Sequence, residues 1–106
     1  MFYKTEYRGK HYEISDRMGD SIIMYIENGV LPGSFLRAII CNDLKGAFME
    51  ADDENYANLP AFIMYFYWEV PGSICGSHKK MLKWEQANID KREQERKACY
   101  GTHQAR

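Results

Sequence analysis

Between Asn28 and Arg37 the chain reads Asn-Gly-Val-Leu-Pro-Gly-Ser-Phe-Leu-Arg, and no other stretch limits its folding more tightly. Gly29 follows a segment of helical periodicity and supplies the left-handed residue that stops a helix. Pro32-Gly33-Ser34 then makes a turn ending in a good N-cap residue. The stretch predicts one helix ending, a tight apolar connection, and a second helix starting at Ser34. A helix start leaves N–H groups free and carries partial positive charge, so it can hold an anion. Arg37, three residues in, is placed to reach back over that site. The turn recurs at Pro71-Gly72-Ser73, inside Pro71–Ser77 and again ahead of a helical pattern.

Around these turns the sequence predicts a mainly helical fold, a compact bundle of four to five helices with an N-terminal β-hairpin over residues 1–14. Phe2, Tyr3, Thr5, Tyr7, His11, Tyr12 and Ile14 are good strand formers, with Arg8-Gly9 as the turn between them. A two-stranded hairpin needs something to pack on, so it is expected to lie on the helices. Ser15 caps a first helix to about Asn28, whose buried stripe is Met18, Ile22, Ile23, Tyr25 and Ile26. Gly19 weakens that helix and marks a place where another backbone comes close. Phe35, Leu36, Ile39 and Ile40 form the apolar face of the second helix, and Asp43 caps a short third one after a break at Asn42. A helix from about Asp53 to Glu69 is apolar almost all round, which makes it the central one. Pro60 either starts that helix near Asn58 or kinks it. Ser77 caps the last helix, attached through Met81, Leu82, Trp84 and Ile89.

A chain of 106 residues fits one domain, placed at 1–90, with a charged helical extension or tail over 91–106. Residues 1–78 carry six Lys/Arg against eleven Asp/Glu, and residues 79–106 carry eight against four. An acidic body with a basic tail can point to nucleic acid or an acidic partner for the tail, but a solvated helix laced with i,i+4 ion pairs is the simpler account. No apolar run is long enough to span a membrane, and Met1–Glu6 turns polar within four residues, so neither a membrane span nor a signal peptide is expected. Three cysteines, Cys41, Cys75 and Cys99, at no framework spacing suit a reducing cytoplasm.

The chemistry-bearing residues favour binding over catalysis. No nucleophile, base and orienting group stand at motif spacing, so no catalytic residue and no enzymatic activity are expected. Cys75 and His78 form a C-x2-H pair, but zinc sites announce themselves with two such pairs, and no metal or cofactor is expected. The candidate ligand site is built from Gly33, Ser34, Phe35 and Arg37 at one turn and Ser73, Ser77, His78 and Lys79 at the other, with Trp68 beside them. Backbone N–H groups and the Ser34 and Ser77 hydroxyls would take a phosphate, Arg37 and Lys79 would add charge, and Trp68 or Phe35 would stack on a base. Capping for stability alone explains each turn taken singly, and the repetition is what points to a ligand.

Residues Tyr25–Leu44, Ala51–Asn55, the Tyr65–Trp68 run with Pro71, and Gly76–Trp84 resemble small, functionally unassigned proteins of tailed bacteriophages and prophages. The resemblance spans roughly residues 16–84 and leaves out the hairpin and tail. In that group the turn reads Pro-Pro-Gly-Ser, and here Leu31 replaces the first proline. The resemblance implies a setting, the cytoplasm of an infected bacterial cell, and no mechanism. The expectation is a counter-defence protein, self-associating through its aromatic surfaces, that sequesters an anionic nucleotide-like signal. The alternatives are a protein-binding inhibitor of a bacterial defence effector, such as a CRISPR or nuclease complex, and a phage DNA-binding accessory protein acting through residues 79–97.

Overall fold

A computed structural model describes the backbone of residues 1–104 and the side chains of residues 1–98. Cys99 and the end of the 91–106 tail, both considered above, carry side chains outside the described residues. The chain is mainly helical, with a two-stranded antiparallel hairpin followed by helices. Strand β1 (Tyr3–Tyr7) pairs with β2 (Lys10–Ile14) in the register Tyr3↔Ile14 to Tyr7↔Lys10. Arg8 and Gly9, at φ 51° and 77°, supply the two left-handed residues that a two-residue hairpin turn requires.

Helix α1 (Asp16–Asn28) begins where Ser15 Oγ accepts from Met18 N and ends at Gly29, at φ 65°. It buries Met18, Gly19, Ile22 and Tyr25. What comes close to Gly19 is not a backbone but the ring of Phe2, which fills the space a Cβ would take. Helix α2 (Ser34–Ile40) has Gly33, not Ser34, as its N-cap residue. Asn42, at φ 59°, then reverses the chain, and Asp43 caps α3 (Leu44–Glu50) by accepting from Gly46 N.

The helix predicted over 53–69 is two helices, which brings the number to six among the described residues. Asp52 caps α4 (Asp53–Ala57), and the chain breaks at Asn58 before α5 (Leu59–Trp68). Pro60 sits in the first turn of α5, where its missing donor has no partner to lose. Nor is α5 buried all round: Ala61, Phe62, Tyr65 and Phe66 face the core, while Ile63, Tyr67 and Trp68 are exposed. The reason is tertiary. The hairpin and α2 cover one side of α5, with Phe2 and Tyr3 packed on the Tyr65 ring and Phe35 edge-on to Phe62, while the side with Ile63 and Tyr67 stays exposed among the described residues.

Helix α6 (His78–Gln104) starts where Ser77 Oγ accepts from Lys80 N. It is fastened to α1 by the Trp84 indole donating to Tyr25 O (2.8 Å) and by Asn88 lying against Gly29. Met81 is buried, but Leu82 points outward, contrary to the attachment expected of it. From Asp90 to Ala98 every side chain is exposed, because the charged run has no apolar stripe to bury. No helix among the described residues is long and apolar enough to cross a membrane.

Candidate functional site

The reversal at Asn42 folds α3 back along α2, locked by Asp43 N donating to Ala38 O (2.8 Å). This leaves a groove between the α2–α3 corner and the uncovered side of α5. The loop 70–77 closes one end and is held firmly. The Tyr25 hydroxyl donates to Ile74 O (2.5 Å), Gly76 N donates to Ile40 O (2.6 Å), and Ile74 N donates to Pro71 O. The resulting groove encloses about 430 Å³, within the range of a ligand or side-chain pocket.

Its walls are apolar. Leu44 and Ala47 of α3 face Ile63, Phe66 and Tyr67 of α5, with Val70 and Gly72 at the end. Asp43 is the one Asp or Glu on the lining, and its Oδ1 is committed to capping α3. No Lys, Arg or His lines the groove. Cys75 also lines it, its thiol directed at Pro71 O (3.5 Å) and Phe66 O (3.9 Å). Burial pushes the Cys75 thiol up, only partly opposed by Lys80, so at neutral pH it is an uncharged wall and a poor nucleophile.

Large apolar side chains continue beyond its rim. Leu44 and Phe48 are i,i+4 neighbours on α3, as Ile63 and Tyr67 are on α5, so each pair presents one row to the same side. Leu44, Phe48 and Met49 are exposed by 74%, 55% and 76%, and Tyr67 and Trp68 by 72% and 65%. Phe48 packs edge-on against Tyr56 of α4, and Tyr67 against Trp68.

The two glycine-containing turns are not brought together as one anion site. Gly76 lies at the C-terminal end of α2 and Ser34 at its N-terminal end, and seven residues of helix separate those ends by about 10 Å. At the first turn, Ser34 Oγ donates to Glu50 Oε2 (3.0 Å), so a carboxylate already stands there. Arg37 does reach back, but its Nε donates to Pro32 O (2.7 Å) and fastens the turn. Phe35 is in the core. At the second turn Ser77 caps α6, while Ser73 and Lys79 are exposed and His78 turns toward Cys41 (Sγ to Nδ1 3.7 Å). Trp68 adjoins the groove through Tyr67 without lining it.

In the sequence Leu44 and Ala47 read as part of a short helix, Leu59 and Ile63 as the girth of the central one, and Phe66 and Tyr67 as core aromatics or base-stackers. The signal that could have separated them is the surplus of apolar residues on α5, too many for one helix face to bury. Compared with models of protein families, with curated proteins and with solved structures, the chain matches none.

Proposed function

We propose that this protein acts by binding another protein, and that the α3–α5 groove is where it binds. The observation that carries this is the pair of exposed apolar rows, Leu44–Phe48 and Ile63–Tyr67, flanking an apolar groove. Leaving such surface in water is unfavourable, and patches of this kind mark interaction sites. The occupant is an amphipathic segment with a few apolar anchors and basic flanks. Charge supports this: Asp43 is on the lining, Glu50, Asp52, Asp53 and Glu54 follow on α3 and the start of α4, and residues 1–78 are net acidic. A helix laid in a groove with anchors at i, i+3 and i+4 is a recurring solution to this geometry.

The protein-binding arm is favoured over the nucleotide sponge because the groove lacks a cation and the two helix starts face different surroundings. In the setting that the sequence resemblance implies, the bound partner is a component of a bacterial defence effector, held in the host cytoplasm. The test is NMR titration of the labelled protein with a Leu/Lys amphipathic peptide, its Leu/Glu counterpart, and a panel of cyclic and linear nucleotides. The expected result is shift changes at Leu44, Ile63 and Tyr67 with the basic peptide alone, abolished in Ile63→Asp. Shifts confined to residues 33–37 and 73–79 with a nucleotide would overturn the reading in favour of the sponge. Shifts at the groove that track the protein's own concentration would assign it to a second copy instead.

A further inference from the structure

Two soft sulfur donors and an imidazole meet where α6 joins the end of α2. Cys41 Sγ lies 3.7 Å from His78 Nδ1 and 3.7 Å from the Met81 thioether sulfur. Cys41 closes α2, and His78 and Met81 stand at i and i+3 on the first turn of α6, hence on one side of it. The two elements are held in register by Gly76 N on Ile40 O, and Met81 is only 2% exposed, so its thioether is fixed by packing. His78 is exposed and leaves the cluster open to solvent on its own side.

Both separations from Cys41 would also suit a shared metal ion. Metal–sulfur and metal–nitrogen bonds of about 2.0–2.3 Å, at trigonal or tetrahedral angles, put two ligand atoms about 3.5–4.0 Å apart. Both separations from Cys41 fall in that interval. The donor types then choose the metal. Thiolate and thioether sulfur select Cu(I), and imidazole also suits copper. Zinc wants four ligands drawn from Cys, His, Asp and Glu, and among the described residues no three of these come together. The C-x2-H spacing of Cys75 and His78 is not the set, since Cys75 faces Pro71 O and Phe66 O. We propose that Cys41, His78 and Met81 form a three-donor site for a soft monovalent cation, with Cu(I) as the preferred ion. On binding, the Cys41 S–H bond breaks, a sulfur–copper bond forms, and the proton passes to solvent. Copper stays monovalent throughout and no electron is transferred.

The test uses the reduced full-length protein without oxygen, with Cu(I) competed against a chromogenic Cu(I) chelator and Zn²⁺ titrated in parallel. One equivalent of Cu(I) should be withdrawn from the chelator, with Zn²⁺ held far more weakly. Cys41→Ser, His78→Ala and the volume-conserving Met81→Leu should each lower the Cu(I) affinity at least about tenfold. Cys75→Ser and Cys99→Ser should leave it unchanged. Circular dichroism checks that Met81→Leu folds, and the exposed His78 supplies the second variant if it does not. Cu(I) binding that survives Cys41→Ser overturns the proposal. So does binding indifferent to both His78→Ala and Met81→Leu, which would be a single thiol at work, and so does Zn²⁺ held as tightly as Cu(I).

Discussion

In an ordinary helix interior, replacing glycine by alanine stabilises by about 0.5–1 kcal/mol, because the alanine backbone has less freedom to lose. At Gly19 the sign should reverse. A Cβ there would stand 2.2 Å from Cγ, 2.3 Å from Cδ1 and 2.5 Å from Cβ of Phe2. These are the root of the side chain and not its flexible end. The Phe2 backbone cannot retreat freely either, since its N–H donates to Ile14 O (2.8 Å). The ring must leave its place on α1 and its edge contact with Tyr65, whose centroid is 5.0 Å away. Full burial of a phenylalanine contributes about 1.5–3 kcal/mol, and Phe2 is mostly buried, so about 1–2.5 kcal/mol is at stake. The ring pair adds about 0.5–1.5 kcal/mol. Against the backbone gain, Gly19→Ala should cost roughly 1–3 kcal/mol. In a Phe2→Ala background the ring is gone, and the same change should stabilise by about 0.5–1 kcal/mol. Urea denaturation of the four proteins of this cycle gives both numbers. A Gly19→Ala protein more stable than the parent, or a cycle with no coupling, would refute the packing argument.

Three further outcomes follow from the same structure. Tyr25→Phe should destabilise by about 1–3 kcal/mol in urea, because the buried Ile74 carbonyl loses its donor and the 70–77 loop its anchor. Burial holds the Tyr25 hydroxyl and the Cys41 and Cys75 thiols above their ordinary values of 10.0 and 9.0. Folding thus favours their protonated forms, a contribution whole below about pH 9 and lost as pH climbs through the raised values. Stability should accordingly fall from about pH 9 upward, less steeply in Cys75→Ser and Tyr25→Phe; a flat profile to pH 11 would contradict this. Truncation after Asp90 removes the exposed contact of Arg92 Nη1, which donates to Asn28 O (3.0 Å) at the C-terminal end of α1. It should change stability by no more than about 1 kcal/mol, and a larger loss in thermal unfolding would mean that the tail packs on the body.

Local chemistry determined most of the element boundaries. Ser15, Asp43, Asp52 and Ser77 cap their helices through side chains that reach only three residues along the chain, and Gly29 and Arg8-Gly9 adopt conformations open to few residues. Such preferences act over one turn and are written in the neighbouring residues, so they can be read before any fold is known. The division of the 53–69 stretch lay within reach for the same reason, since Pro60 demands a start close before it.

Which apolar residues are core was another matter. Ile63 and Phe62 are equivalent in the sequence, yet one is half in solvent and the other fully buried, because the hairpin and α2 cover only one side of α5. Arg37 and Ser34 offered an anion site until Pro32 O and Glu50, five and sixteen residues away, took their hydrogen bonds. Cys41 and His78, thirty-seven residues apart, meet only because Gly76 docks on the end of α2. Caps and turns are settled by contacts along the chain, and grooves and donor clusters by contacts across it. The sequence by itself therefore determined where most helices begin and end, and the tertiary structure alone decided which surfaces stay open to bind.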